Sequence, residues 1–170
     1  RAGGNPVMYR TGHSLIKKKM LETGAPLAGE MSGHIFFSDR YFGFDDALYV
    51  ALRILSACAR FNTTLANFYD SLPKMKGTPE IRLECNDERK FSVIEEVKTR
   101  LIAQQVSINE IDGVRVDSNE GWWLLRASNT EPALVARCEG RSDVNLRKLK
   151  MSLVESLDGL GVELPTDFNK

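Results

Sequence analysis

The stretch LPKMKGTP, Leu72–Pro79, decides how the rest of the chain divides. Its two prolines remove backbone donors and, with Gly77 and two lysines, exclude a helix or a central strand across it. Residues 74–79 are therefore expected to be a hinge or linker, with one domain over 1–73 and a second over 80–170. At 170 residues the chain is long enough for two small domains, each with its own core.

Before the boundary, Pro6–Arg10 reads as a short strand. Ser14 reads as the N-cap of a helix running to about Glu22, with Leu15, Ile16 and Met20 inward and Lys17, Lys18 and Lys19 outward; Gly24 ends it. The segment Gly29–Phe37, GEMSGHIFF, is expected to be extended. Strand, helix, strand in this order predicts a parallel βαβ unit. Asp45 and Asp46 sit where a helix N-terminus favours negative charge, and Ala47–Arg60 follows as a helix. Leu48, Ala51, Leu52, Leu55, Cys58 and Ala59 form its apolar stripe, widened by Val50 and Ile54, so the helix is expected to be largely buried. A shorter helical piece over Thr64–Leu72 completes this half.

Beyond the boundary, Glu80–Cys85 reads as a strand. Ser92 with Glu95 makes a capping-box pattern before a helix to about Gln105, with Ile94, Val97 and Leu101 inward. Gly113–Asp117, Gly121–Ala127 and Ala133–Glu139 are expected strands, and Ser142–Leu157 is a last helix with Leu146, Leu149, Leu153 and Leu157 on one side. The expected fold class is α/β plus α+β: a partial βαβ-type domain, then a β-α-β-β-β-α domain whose antiparallel sheet is covered by two helices on one face.

Composition narrows the function classes. Hydrophobic content of 42% and charged content of 27% are those of a soluble globular protein. A formal net charge of +0 offers no electrostatic argument for nucleic acid or an anionic membrane, so any anion site is local. No apolar run approaches bilayer length, and no basic-then-apolar signal segment is present. Cys58, Cys85 and Cys138 are odd in number and widely spaced, which reads as buried thiols in a reducing compartment; a cytoplasmic protein is expected. Because the chain opens on Arg1-Ala2-Gly3-Gly4 without an initiator Met, it is expected to be part of a longer polypeptide.

Two stretches carry chemistry. In an extended GEMSGH, Glu30, Ser32 and His34 share one face, a carboxylate, a hydroxyl and an imidazole suited to a polyol. The same residues also fit a solvated strand end running into a glycine-rich turn. In RASNTEP, Arg126–Pro132, the guanidinium of Arg126 with Ser128, Asn129, Thr130 and backbone N–H groups of a tight turn can cradle a phosphate, and Arg137 lies on the next strand. A polar hairpin whose arginines pair with surface carboxylates is the competing reading. Glu131 has the wrong sign for phosphate and is expected to point away or to orient an arginine. His13 and His34, the two histidines, each sit in a glycine-flanked loop, either solvated or handling protons near neutral pH.

Taken together, TGHS at Thr11–Ser14, GEMSGH at Gly29–His34, RYFGFDD at Arg40–Asp46 and RASNTEP at Arg126–Pro132 resemble the bacterial phosphomannomutase/phosphoglucomutase branch of the α-D-phosphohexomutases. The resemblance covers essentially the whole chain, as the later part of a third domain and a complete fourth domain. It implies interconversion of hexose 1-phosphate and 6-phosphate through a bound glucose or mannose 1,6-bisphosphate. It implies that Glu30 and Ser32 hold ring hydroxyls and that His13 and His34 lie near the sugar and the transferred phosphoryl group. Arg126, Ser128, Asn129 and Thr130, with Arg137 nearby, would grip the non-transferred phosphate. The family's phosphorylated serine and its aspartate-rich loop for Mg2+ have no counterpart in these 170 residues, so no metal is expected in this chain, and it is expected to be inactive alone. Its implied partners are hexose phosphates and the N-terminal domains of the same enzyme, with no nucleic acid and no membrane. GEMSGH with RASNTEP, in place of the GEQSGH and RPSGTEP of the phosphoglucosamine mutase branch, points to mannose and glucose phosphates. A phosphoglucosamine mutase or a non-catalytic phosphosugar-binding module is the alternative.

Overall fold

The computed structural model describes residues 3–165 and 168. The chain forms two compact units, Arg1–Pro73 and Lys74–Lys170.

In the first unit, α1 (His13–Thr23) buries Ile16 and Met20. Its N-cap is Gly12 without a side-chain hydrogen bond, so Ser14 lies inside the first turn and is not the cap. Gly24 takes the left-handed conformation and donates its N–H to Met20 O, as a helix-ending glycine does. Two short strands follow, β1 (Leu27–Gly29) and β2 (Ile35–Phe37), paired antiparallel with Leu27 opposite Phe37 and Gly29 opposite Ile35. Among the described residues the expected parallel βαβ pairing does not occur. The intervening residues close on themselves through Glu30 N–H to His34 O at 2.8 Å and Gly33 N–H to Glu30 O at 3.0 Å. A turn this tight joins only antiparallel neighbours, and Gly33, at φ 93°, supplies the positive φ it needs. Pro6–Arg10 is not a strand, because no described backbone runs beside it as a ladder partner.

Helix α2 (Ala47–Arg60) starts at Asp46, whose side chain accepts the Tyr49 N–H at 3.0 Å; α3 (Leu65–Ser71) starts at Thr64, which accepts from Asn67 N–H at 3.1 Å. Against expectation α2 has no buried residue. It meets β2 through its Tyr49 and Arg53 side, with the Arg53 guanidinium 4.4 Å from the Phe37 ring centre. No described element covers the Leu48, Leu52 and Leu55 stripe, which stays 64–81% exposed.

The second unit is a six-stranded antiparallel sheet. Its elements are β3 (Lys76–Gly77), β4 (Ile81–Glu84), α4 (Asp87–Ala103), β5 (Ile108–Asn109), β6 (Val114–Asp117), β7 (Gly121–Ala127), β8 (Ala133–Gly140) and α5 (Asp143–Leu157). The order is β3-β8-β7-β6-β5, with β4 also on β8. Part of the expected linker thus lies in the sheet: Lys76 and Gly77 pair with Gly140 and Glu139. Helix α4 begins six residues before the capping-box reading placed it. Asn86 caps it through Arg89 N–H at 2.9 Å with Asp87 and Glu88 in its first turn, while Ser92 sits inside and donates to Arg89 O.

Alternate residues of the strands, among them Leu83, Val116, Trp123, Leu125 and Leu134, join Val93, Val97 and Leu101 of α4 and Leu149, Leu153 and Leu157 of α5 in one core. Gly121 passes so close to Glu139 O that no Cβ fits. Cys138 is buried, which pushes its thiol up to about 12, but Cys58 and Cys85 are only half-buried. Among the described residues no helix is long and apolar enough to cross a membrane.

Candidate functional site

In the first unit the two histidines and the GEMSGH turn converge. The turn is not extended, so the common face expected of Glu30, Ser32 and His34 does not arise from strand alternation. Instead Ser32 Oγ donates to Glu30 Oε2 at 3.3 Å, and Glu30 Oε1 accepts the Gly12 N–H at 3.2 Å. The carboxylate thereby ties the turn to the N-terminus of α1, where negative charge is favoured. His34 points elsewhere: its Nδ1 lies 2.5 Å from Asp45 Oδ2. His13 Nε2 is 3.8 Å from the same oxygen, and the two imidazoles meet edge to face at 4.3 Å. Phe36, fully buried, backs the His13 ring at 5.3 Å.

Asp45 is the residue that sequence reasoning assigned only to a helix start. Asp46 alone caps α2, and Asp45 forms an isolated bridge with Phe36 that turns it toward the histidines. No local pattern separates the two neighbours, because the bridge exists only once β2 is in place. An open depression of about 630 Å³ is lined by His13, Lys17, Lys18, Phe44 and Asp45 among others. Its carboxylate, imidazole and ammonium groups can exchange protons and hold an anionic group. Beside it, Tyr41 stacks on Tyr49 at 3.8 Å and donates its O–H to Asp46. That hydrogen bond raises the Tyr41 phenol above 10.0 and, with the Tyr49 N–H, lowers the Asp46 carboxyl below 3.8.

In the second unit, pairing places Arg82, Val135 and Arg126 in one cross-strand row, and Arg115, Leu124 and Arg137 in the next. This is the sheet face turned away from the core. Arg115 binds Asp117 through two nitrogens, Arg137 binds Glu139 at 2.6 Å, and Arg82 binds Glu131 and Glu80. Glu131 therefore does orient an arginine, but that arginine is Arg82, which the sequence did not single out. Of the four, Arg126 alone makes no side-chain hydrogen bond or ion pair among the described residues.

The loop after Arg126 is preorganised. Ser128 is buried, and its Oγ accepts from Thr130 N–H at 3.4 Å and Glu131 N–H at 3.2 Å. Those two amides, expected to face an anion, are turned onto the serine instead, leaving the Ser128 O–H as a donor. Asn129 and Thr130 are exposed. Lys90, itself buried on α4, donates to Glu131 O at 3.0 Å and pins the far end of the loop. Sequence reasoning missed Lys90 too. Its signal would have been a lysine on the buried side of an amphipathic helix, legible only with the correct helix start.

Two family models match in turn: phosphoglucomutase/phosphomannomutase α/β/α domain III over residues 1–75, and the C-terminal domain of the same family over 80–156. The chain is 45% identical over 166 residues to a phosphomannomutase/phosphoglucomutase of Pseudomonas aeruginosa strain PAO1, covering 98% of this chain and 36% of that protein. It is 40% identical over 150 residues to a phosphoglucomutase of Neisseria gonorrhoeae, covering 87% of this chain and 32% of that protein. A crystal structure of a phosphoglucomutase/phosphomannomutase family protein from Burkholderia thailandensis superposes with a TM-score of 0.84 at 41% identity, over 96% of this chain and 35% of that one. The chain spans about a third of the length of these relatives. The chain belongs to the phosphoglucomutase/phosphomannomutase family, whose third and C-terminal domains it carries.

Proposed function

We propose that this chain supplies the sugar- and phosphate-recognising part of a cytoplasmic phosphohexomutase that interconverts mannose or glucose 1-phosphate and 6-phosphate through a 1,6-bisphosphate. The carrying observation is the Glu30–Ser32 pair at the GEMSGH turn: a carboxylate held by Gly12 N–H with a hydroxyl at 3.3 Å offers an acceptor and a donor-acceptor to vicinal sugar hydroxyls. Asp45 holds His34 through Nδ1, leaving Nε2 to take or return a hydroxyl proton as phosphate moves. Lys17 and Lys18 give the depression positive charge toward a phosphoryl group, with the His13 imidazole beside them. Recognition of the phosphate that does not move falls to Arg126, Asn129, Thr130 and the Ser128 hydroxyl, with Arg137 in the adjacent row. Arg126 suits this role because no carboxylate among the described residues pairs with it.

The family's magnesium does not fit the residues present. The one cluster of metal-ligand geometry among the described residues has two imidazoles and a single carboxylate, whereas Mg2+ requires an oxygen octahedron. Magnesium and the phosphorylated serine are assigned to the remaining domains of the enzyme.

An amide-resolved NMR titration with mannose 1-phosphate, with inorganic phosphate as control, tests the reading. Shifts at Arg126–Thr130 with both ligands, and at Glu30–His34 with the sugar phosphate alone, are expected. Shifts confined to the arginine loop would remove the sugar assignment from this chain, and no shifts anywhere would remove both.

A further inference from the structure

We propose that His13, His34 and Asp45 form a binding site for a divalent transition metal of the zinc type. Three separate elements bring these side chains together: the start of α1, the exit of the GEMSGH turn and the residue before the α2 cap. One ligand atom from each lies within 4.8 Å of the others. A tetrahedral ion with bonds of about 2.0–2.2 Å spaces its ligands roughly 3.3–3.6 Å apart. The observed His34–Asp45 and His13–Asp45 separations of 2.5 and 3.8 Å bracket that spacing. Side-chain rotations of about 1 Å close these two differences, and the exposure of the three side chains, 49%, 43% and 27%, leaves them room to rotate.

The donor set selects the metal. Two imidazoles and one carboxylate suit zinc, cobalt, nickel or copper and disfavour magnesium and calcium, which take oxygen ligands in larger number. Three protein ligands leave a fourth position to water, the pattern of an exchangeable site. Lys17 and Lys18 line the same depression and oppose added positive charge, so the ion is expected to be removable by a mild chelator. Binding rests on this geometry alone. That a bound ion withdraws both imidazoles from proton exchange rests on the function proposed above.

The test is a titration of the 170-residue chain with ZnCl2, and with CoCl2 as a spectroscopic probe. The chain holds two histidines, both in the cluster, so imidazole NMR signals report on this site and no other. Expected are one zinc per chain, movement of both imidazole signals, and tetrahedral Co2+ ligand-field bands that zinc abolishes. His13→Ala, His34→Ala and Asp45→Asn should each weaken zinc binding about tenfold or more while the far-UV circular dichroism stays that of the parent. Cys58→Ser and Cys85→Ser should leave it unchanged. Still imidazole signals, equal shifts with MgCl2, or binding lost only in the cysteine variants would overturn the assignment. A chain that binds zinc here yet ignores mannose 1-phosphate sustains the metal site and sinks the sugar reading instead.

Discussion

Asp45 and Asp46 are adjacent, identical in chemistry and committed to different partners. Asp45 faces two imidazoles; Asp46 receives the Tyr41 hydroxyl and the Tyr49 N–H. The Tyr41–Asp46 bond works on both groups. The Asp46 carboxyl is depressed, so its contribution to stability is full above 3.8 and is lost as pH falls through its folded value. The Tyr41 phenol is raised, so its contribution is full below 10.0 and is lost as pH rises through its folded value. NMR titration should therefore place the Asp46 midpoint below 3.8 and the Tyr41 midpoint above 10.0. Asp46→Asn should return Tyr41 toward 10.0, and an unchanged Tyr41 midpoint in that variant would discredit the pairing.

At the scale of elements, two starting points were misread from sequence for one reason. Ser14 and Ser92 both carry cap chemistry, but each lies inside its helix because a residue upstream begins it: Gly12 for α1, Asn86 for α4. Asn86→Ala should destabilise the second unit by about 1 kcal/mol in urea unfolding, whereas Ser92→Ala should change little. Equal losses would restore the capping-box reading. The loop between β7 and β8 depends on α4 in turn, through Lys90 and the Glu131 carbonyl. That carbonyl keeps a second bond from Ala133 N–H, so Lys90→Met is expected to cost only about 1 kcal/mol globally. Its larger effect should be local, as faster amide exchange at Thr130 and Glu131 than elsewhere on the sheet. Uniform acceleration over the sheet would mean that Lys90 supports the core and not the loop.

At the scale of the molecule, the two units are unequally stabilised. The second has a continuous core from Ile81 to Phe168, while among described residues the first buries only Ile16, Met20 and Phe36 as its apolar centre. Apolar burial dominates folding free energy, so the first unit should open at lower temperature or denaturant. Chromophores separate the two: Trp122 and Trp123 lie in the second unit, and Tyr9, Tyr41, Tyr49 and Tyr69 all lie in the first. Tyrosine absorbance and tryptophan fluorescence should give two non-coincident transitions, tyrosine first. A single shared midpoint would show that the units unfold together.

Much of this was written in the chain. The span Ala47–Arg60, the β7–β8 hairpin around RASNTEP and the last helix follow from periodicity and turn chemistry, which act over a few residues. The four motifs carried the family in the same way. What the sequence did not contain was pairing. The antiparallel sense of β1 and β2, the exposure of the Leu48 stripe, Asp45 beside two histidines, and Arg82 sharing a row with Arg126 are all long-range. Each depends on which backbone or surface lies alongside, and one segment read alone has no term for its neighbour.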